Sequence, residues 1–482
     1  VQKKSGRPGV DTAAMSKTVH ELWDAEILPS LSGLVEIPAV SEAFDPDWRA
    51  SGHLAAAVEH VRNWLVTRLG QTGARVEVVE LDGRSPVLLV DVPASPGVDA
   101  GTVLLYGHLD KQPPVADWAP GLGPWTPVVR DGRLYGRGAA DDGYAGYAAA
   151  AAIEGVLAGG GAHGRCVLLL ETGEESGSPD LPAYLEHLRS RLDDVSLVVC
   201  LDSGAQDYRR MWLTTSLRGM AQVTVTAKVL DVGQHSGMAG GIVPSSFRVL
   251  RLLLDRLEDA ETGEVLLPEM RVEIPASRVA ATRAGVESAP GTVHGAFPLA
   301  SGVRLSDDEV ELMLNGTWRP SLSVIGADGL PAPEDAGNVL RSSTTLALSF
   351  RLPPTADARS ALDAASKALS ADVPYGAQVE LSRLECADGW AAPETAPWLE
   401  SALDSASTEF FGQPWRTMGV GGSIPFMGLL QEAYPRAQFV VTGVLGPGSN
   451  AHVPDESIDL AYAAKVTESV GLILDAHARA GG

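Results

Sequence analysis

The residues that could do chemistry in this chain stand at the ends of apolar runs or in glycine-rich turns. TVLLYGHLDKQPP ends its apolar run at His108 and Asp110, two residues apart, so on an extended backbone both side chains point the same way. A carboxylate beside a histidine fixes the tautomer and orientation of the ring, as metal ligands commonly require, although a surface hydrogen-bonding pair has the same pattern. LYGRGAADDGYAG sets Asp141 and Asp142 after a turn and before a helix, where aspartate also serves as an ordinary cap. In LLLETGEESGSPD a buried run leads into Glu174 and Glu175, neighbours that repel unless a cation is bound to one and a water held by the other. SLVVCLDSG delivers Asp202 after a wholly apolar run, and LGPGSNAHVPDESID places His452 in a loop.

Three successive runs thus end in His108, in Glu174 with Glu175, and in Asp202, and parallel strands of one sheet bring such ends together. Two histidines and three carboxylates suit a pair of divalent ions that share one carboxylate, about 3.5–4 Å apart. Such ions polarise a carbonyl and lower the pKa of a bridging water from about 16 toward about 7, and a further carboxylate outside the ligand set is then needed as a base. Mixed histidine and carboxylate ligation suits zinc, with manganese or cobalt as alternatives. Histidines 20, 53, 60, 163, 187, 294 and 477 carry no motif and read as surface or core residues.

The elements that must position these groups follow an α/β pattern. Helical spacing of apolar residues predicts helices from Val19 to about Ile37 and from His53 to Leu69, and the strand candidates ARVEVVEL, PVLLVDV and TVLLYGHLD follow. An Ala-rich helix from Ala145 to Ala158, the strand CVLLLE, the helix LPAYLEHLRSRL and the strand SLVVCLD complete a mostly parallel sheet flanked by helices. Beyond Arg218 the texture changes. AQVTVTAKV and STTLALSFRL alternate, with helices from Ser245 to about Leu257 and from Ala356 to Leu369, and QVELSRL closes a smaller α+β unit with an open sheet face. The helix Pro397 to Phe411 and the strand AQFVVTG read as a return to the first unit. The expected division is residues 15–214 and 389–482 for a discontinuous first domain and 215–388 for an inserted one. Met15 followed by Ser-Lys-Thr resembles a start, which leaves residues 1–14 either as a loose tail or as sequence foreign to the natural chain.

With 37 basic against 61 acidic residues and a net charge of −24, the chain is a poor partner for nucleic acid, which requires clustered Lys and Arg. Hydrophobic residues make up 45%, enough for packed cores, while no run approaches the roughly 18 apolar residues of a membrane span. Cys166, Cys200 and Cys386 are odd in number and widely spaced, which suits reduced thiols and a soluble cytoplasmic protein.

YGHLDKQP, LYGRGAADD, ETGEESGSPDL, LDSG, DVGQHSGMAGG, WRPSLSV, SFRLPP, GGSIP and SNAHVPDE, in this order over roughly residues 20 to 475, resemble the M20 metallopeptidases, particularly their cytosolic dipeptidase and carnosinase branch. The resemblance implies a metal-bearing catalytic domain interrupted by a lid domain through which the protein forms homodimers. It makes His108 and Asp202 ligands of one metal, Glu175 and His452 of the other, and Asp141 the bridge. Glu174 becomes the general base, Asp110 the residue that orients His108, and His235 a lid histidine that stabilises the oxyanion in the partner's site. Arg351 is similar to the residue that grips the substrate's carboxylate, a task suited to a bidentate guanidinium. Ser423 and Asn338 resemble substrate contacts. The expected activity is hydrolysis of dipeptides or short peptides; deacylation of N-acyl amino acids and a non-catalytic binding protein on the same fold are the competing readings. Gly143-Tyr144, where the branch often has Lys-Gly, and the stretch ADGLPAPEDAG depart from the pattern, outside the ligands.

Overall fold

The computed structural model describes residues 9–422 and 425–481. The strands of its two main sheets, in chain order, are β1 (Arg75–Val79), β2 (Val87–Val92), β3 (Thr102–His108), β4 (Arg165–Glu171), β5 (Val195–Cys200), β6 (Gly219–Lys228), β7 (Ser321–Asp328), β8 (Ser343–Leu352), β9 (Gln378–Ala387) and β10 (Gln438–Val441). The chain divides into two compact units. One comprises 1–214, 392–418 and 429–482, and the other 215–391 with 419–428. The return segment expected at 389–482 is therefore itself interrupted, because Gly419–Gly428 groups with the second unit.

In the first unit the sheet order is β1-β2-β4-β3-β5-β10. β3 pairs in parallel with β4 and β5, and β10 with β5, whereas β2 alone runs against its neighbours. Every residue of β3 is buried, as are all but the first of β4, which is why these strands read as unbroken apolar runs. Helix Ala145–Ala158 packs close to the sheet through its small residues. At Gly107, just before His108, a Cβ would lie 2.5 Å from Ala145 Cβ and 2.7 Å from Asp142 Oδ2, so only glycine admits the Asp141–Asp142 turn here.

Residues 1–8 of the expected tail lie outside the described residues, while residues 9–14 are packed against the first unit. Asp11 caps a helix that begins at Thr12, Met15 is fully buried, and the backbone N–H of Val10 donates to Asp475. That helix continues through a π-helical turn, Trp23–Ile27, into Leu28–Val35. Helices His53–Leu69 and Pro397–Phe411 match their expected bounds. The C-terminal helix Leu460–Ala480, 21 residues long, was not foreseen. Among the described residues no helix is long and apolar enough to cross a membrane.

The second unit is built on an antiparallel sheet of order β7-β8-β6-β9. β6 alternates strictly between buried and half-buried residues, placing Ala221, Val223, Val225 and Ala227 in a core with Phe350 and with helices Ser246–Leu254 and Ala358–Ser370. β7 is an edge strand, exposed from Ser323 to Asp328.

Candidate metal centre

Three strand ends and two loops of the first unit converge on one charged cluster. β3 ends in His108; the turn after β4 carries Glu174 and Glu175; Asp202 follows β5; the turn before helix Ala145–Ala158 carries Asp141; and His452 lies in the loop after β10. His108, Asp141 and Asp202 offer ligand atoms all within 4.8 Å of one another, and so do Asp141, Glu175 and His452. Asp141 belongs to both sets. Its Oδ1 lies 3.3 Å from His108 Nε2 and its Oδ2 lies 2.9 Å from His452 Nε2. His452 Nε2 is also 3.3 Å from Glu175 Oε2, and His108 Nε2 is 3.9 Å from both Asp202 Oδ2 and Glu174 Oε2. These oxygen and imidazole donors, with no thiolate among them, fit two divalent cations that share Asp141.

The supporting contacts explain how so many acids stand together. Asp110 is fully buried; its backbone carbonyl lies 3.0 Å from His108 Nδ1, which turns Nε2 toward the cluster. The side-chain carboxylate of Asp110 accepts the N–H groups of Glu174 at 3.2 Å and Glu175 at 3.0 Å, so it fixes the turn that presents both glutamates. Gln112 donates to Glu175 Oε2 at 2.7 Å. Tyr144, at one of the positions that depart from the family pattern, donates to the carbonyl of Leu201 at 2.6 Å and ties the Asp141 turn to the residue before Asp202. Lys111, also buried, donates to the carbonyls of Leu34, in the last turn of helix Leu28–Val35, at 2.7 Å and of Ile37, just beyond that helix, at 2.8 Å.

Burial and mutual repulsion set the protonation of the cluster. Glu174 is held well above the usual carboxylate range by burial and then by the charge of Asp202, and Glu175 likewise by burial and Asp141. Burial pushes Asp202 up to about 6, with His108 opposing. Burial also works against Asp141, but the two histidines outweigh it and hold its pKa below the usual value. His108 is raised despite its burial because Asp110 and Asp141 favour the cation. Carboxylates raised in this way are a surplus of negative charge that a bound cation would relieve.

The remaining sequence candidates lie in the second unit or outside the described residues. Gln234 and His235 pair with Leu340 and Val339, and the N–H of Ser236 donates to the carbonyl of Asn338 at 2.9 Å, so the structure brings His235 and Asn338 together on an exposed ladder. His235 Nδ1 accepts from the N–H of Gly237 at 3.1 Å. Arg351 sits near the end of β8, opposite Ser321 on one side and Met220 on the other. Beside it, Arg218 is pushed down to about 10 by burial and by the charge of Arg351. Ser423 lies outside the described residues. Sequence reasoning gave no role to Arg137 and Glu456, although both stand inside quoted motifs, YGRG and HVPDE. They form a fully buried ion pair at 2.8 Å directly behind Asp141.

The chain resembles known proteins over most of its length. A cysteinylglycine-S-conjugate dipeptidase of Corynebacterium striatum is 29% identical over 411 residues, 83% of this chain and 86% of its own. A Beta-Ala-His dipeptidase of Mus musculus is 30% identical over 310 residues, 60% of each chain. Human carnosine dipeptidase 1 has the same fold, with a TM-score of 0.74 at 24% identity over 98% of this chain and 99% of that one. The family model described as Peptidase family M20/M25/M40 matches residues 104–476, from the strand that carries His108 into the helix that follows the His452 loop. That span takes in every residue of the acidic cluster, and the chain belongs to peptidase family M20/M25/M40.

Proposed function

We propose that the chain hydrolyses the amide bond of dipeptides or short peptides with two divalent cations bound, one on His108, Asp141 and Asp202 and the other on Asp141, Glu175 and His452. The observation that carries this reading is the placement of Asp141 between two histidines, one facing each of its oxygens. Zinc suits these donors first, with manganese or cobalt as alternatives. When bound, the cations polarise the scissile carbonyl and acidify water.

The chain's own residues do the rest. Glu174, whose pKa is raised by burial, takes a proton from the attacking water on its carboxylate and returns it to the leaving amine. Asp110 keeps His108 oriented and holds the backbone of Glu174 and Glu175. The dipeptide class rests on the names of the relatives from Corynebacterium striatum and Mus musculus. Arg351, with Arg218 beside it, offers concentrated positive charge for a substrate carboxylate, and Asn338 and Ser423 are assigned as further substrate contacts.

In this reading the second unit is a lid through which two copies pair, and His235 of each copy donates to the oxyanion in the other. Met238, 78% exposed, Ile242, 82% exposed, and the open edge of β7 are consistent with a surface that a second copy covers. The three free cysteines suit a reducing compartment, and the proposed location is the cytoplasm.

The test pairs elemental analysis of zinc-loaded protein with a panel of free and N-acetylated dipeptides. Two ions per chain and amine release from the free dipeptides are expected. One ion at saturation, or release from the N-acylated substrates alone, overturns the reading.

A further inference from the structure

The loop that carries His452 is an unusual piece of backbone. Asn450, His452 and Asp455 all have positive φ, at 54°, 66° and 64°, a region that side-chain-bearing residues adopt only when their surroundings over-determine it. The over-determination comes from Glu456, which is fully buried. Its Oε1 accepts the backbone N–H groups of Gly138 at 2.9 Å, Ala140 at 3.2 Å and Asp141 at 3.3 Å. Its Oε2 accepts from Arg137 Nη1 at 2.8 Å, and its backbone carbonyl accepts the N–H of Gly136 at 2.9 Å. The other end of the Arg137 guanidinium, Nη2, reaches back to the carbonyl of Val453 at 3.2 Å. One loop is therefore fastened to the other at Val453 and Glu456, just after His452 and directly behind Asp141.

We propose that Arg137 and Glu456 are positioning residues that lock His452 against Asp141 and thereby set the affinity of the cation held by Asp141, Glu175 and His452, while the cation held by His108, Asp141 and Asp202 depends on them little. The inference rests on the two-cation reading. The asymmetry has a structural reason. His108 ends β3 and Asp202 follows β5, strands that are paired with each other in parallel, whereas His452 stands in a loop outside the strands. Glu456 contributes backbone anchoring without competing for the ion. It faces the amide side of Asp141, and Arg137 neutralises it. Deleting only one member of this pair would leave a buried charge unmatched, so its effect would mix folding with metal binding.

The test uses variants that keep the charges matched. Arg137→Lys keeps the positive charge but loses the fork that spans Glu456 and Val453, and Arg137→Gln with Glu456→Gln removes both charges together. Full-length protein stripped with a chelator is titrated calorimetrically with zinc, and His452→Ala marks which binding step belongs to the Glu175 and His452 side. The expected result is that this step weakens about tenfold to a hundredfold, the usual cost of losing a partner behind a metal ligand, while the other step and the thermal midpoint of the metal-free protein stay near wild type. Weakening of both steps alike, or of neither, overturns the clamp in any variant that folds. If the double variant does not fold, Arg137→Lys decides alone. A wild-type chain that takes up a single ion overturns the two-cation reading and the clamp with it. Two ions in the wild type and unchanged steps in Arg137→Lys remove the clamp alone.

Discussion

His108 and Asp110 are fully buried in the first unit, and Asp141 and Asp202 are 5% and 8% exposed, whereas His235 and Asn338 in the second unit lie on the surface. The two regions put reactive groups to use in opposite ways. In the first, like charges are crowded out of water, and each is held by a specific contact: Asp110 on the glutamate turn, Gln112 on Glu175, Glu456 behind Asp141. Such a cluster is costly without a cation, and its geometry matters to a fraction of an ångström. In the second, polar side chains are presented from a short ladder and from one end of an antiparallel strand, at little cost in desolvation. Substitutions in the buried cluster should therefore reach metal binding or proton transfer, and substitutions in the exposed set should change turnover while leaving the metal in place.

The largest effect expected within this contrast is that of Glu174→Gln. The amide matches the carboxylate in shape but cannot accept a proton, so turnover should fall by about 10²–10⁴-fold. Glu174 belongs to neither ligand set, so two zinc ions per chain should remain. Near-wild-type kcat at saturating zinc would withdraw the base assignment, and loss of an ion would make Glu174 a ligand.

Much of the buried cluster was legible because its scaffold is the kind that sequence reports well. Strands covered on both faces leave continuous apolar runs, and β3, β4 and β5 each end in a residue of the cluster or run straight into a turn that carries one. Helix Pro397–Phe411 was bounded correctly because proline opens it and Gly412, at φ 67°, closes it. The C-terminal helix was hidden by its own polar residues. Glu468, Asp475 and His477 are buried on it, and Asp475 is spent on the N–H groups of Val10 and Ala162, contacts no local pattern reveals. The same contact explains why residues 9–14 show no local sign of packing in the sequence. Glu456 read as one more loop carboxylate because its partner, Arg137, is 319 positions away.

A smaller loss is expected from the exposed set. His235→Ala removes the proposed oxyanion donor and should lower kcat by about 10²–10³-fold with zinc content unchanged. Co-refolding it with Glu174→Gln tests whether the donor acts across copies, since a shared arrangement builds some sites carrying both defects and others carrying neither. Activity should reappear from two nearly inactive parents. A verified heterodimer without recovery, or a fully active monomer, would remove the exchange and leave the metal chemistry of the first unit untouched.

The smallest effect concerns stability in acid, and it separates the two units by a different property. At the end of the first unit's sheet away from His108, two histidines are buried. His477 is pushed down to about 4 by burial, and its Nε2 lies 2.7 Å from Ser196 Oγ; His163 is lowered for the same reason. The second unit's His294 is shifted the other way, raised on the surface by Glu309. For a histidine whose folded pKa is depressed, the unfolded chain takes up the proton first, near its ordinary value of 6.5. The stabilisation is complete above that value, declines as pH falls through the window from 6.5 to about 4, and is then spent. For His477 the total is about 3 kcal/mol. His477→Gln keeps a hydrogen-bonding end near Ser196 but cannot titrate, so the thermal midpoint of its metal-free form should fall less steeply than that of the wild type between pH 6.5 and pH 4. His187→Gln, at an exposed position, serves as the control and should follow the wild type. Parallel curves for all three proteins would mean that the buried histidines do not set the acid limit of the first unit.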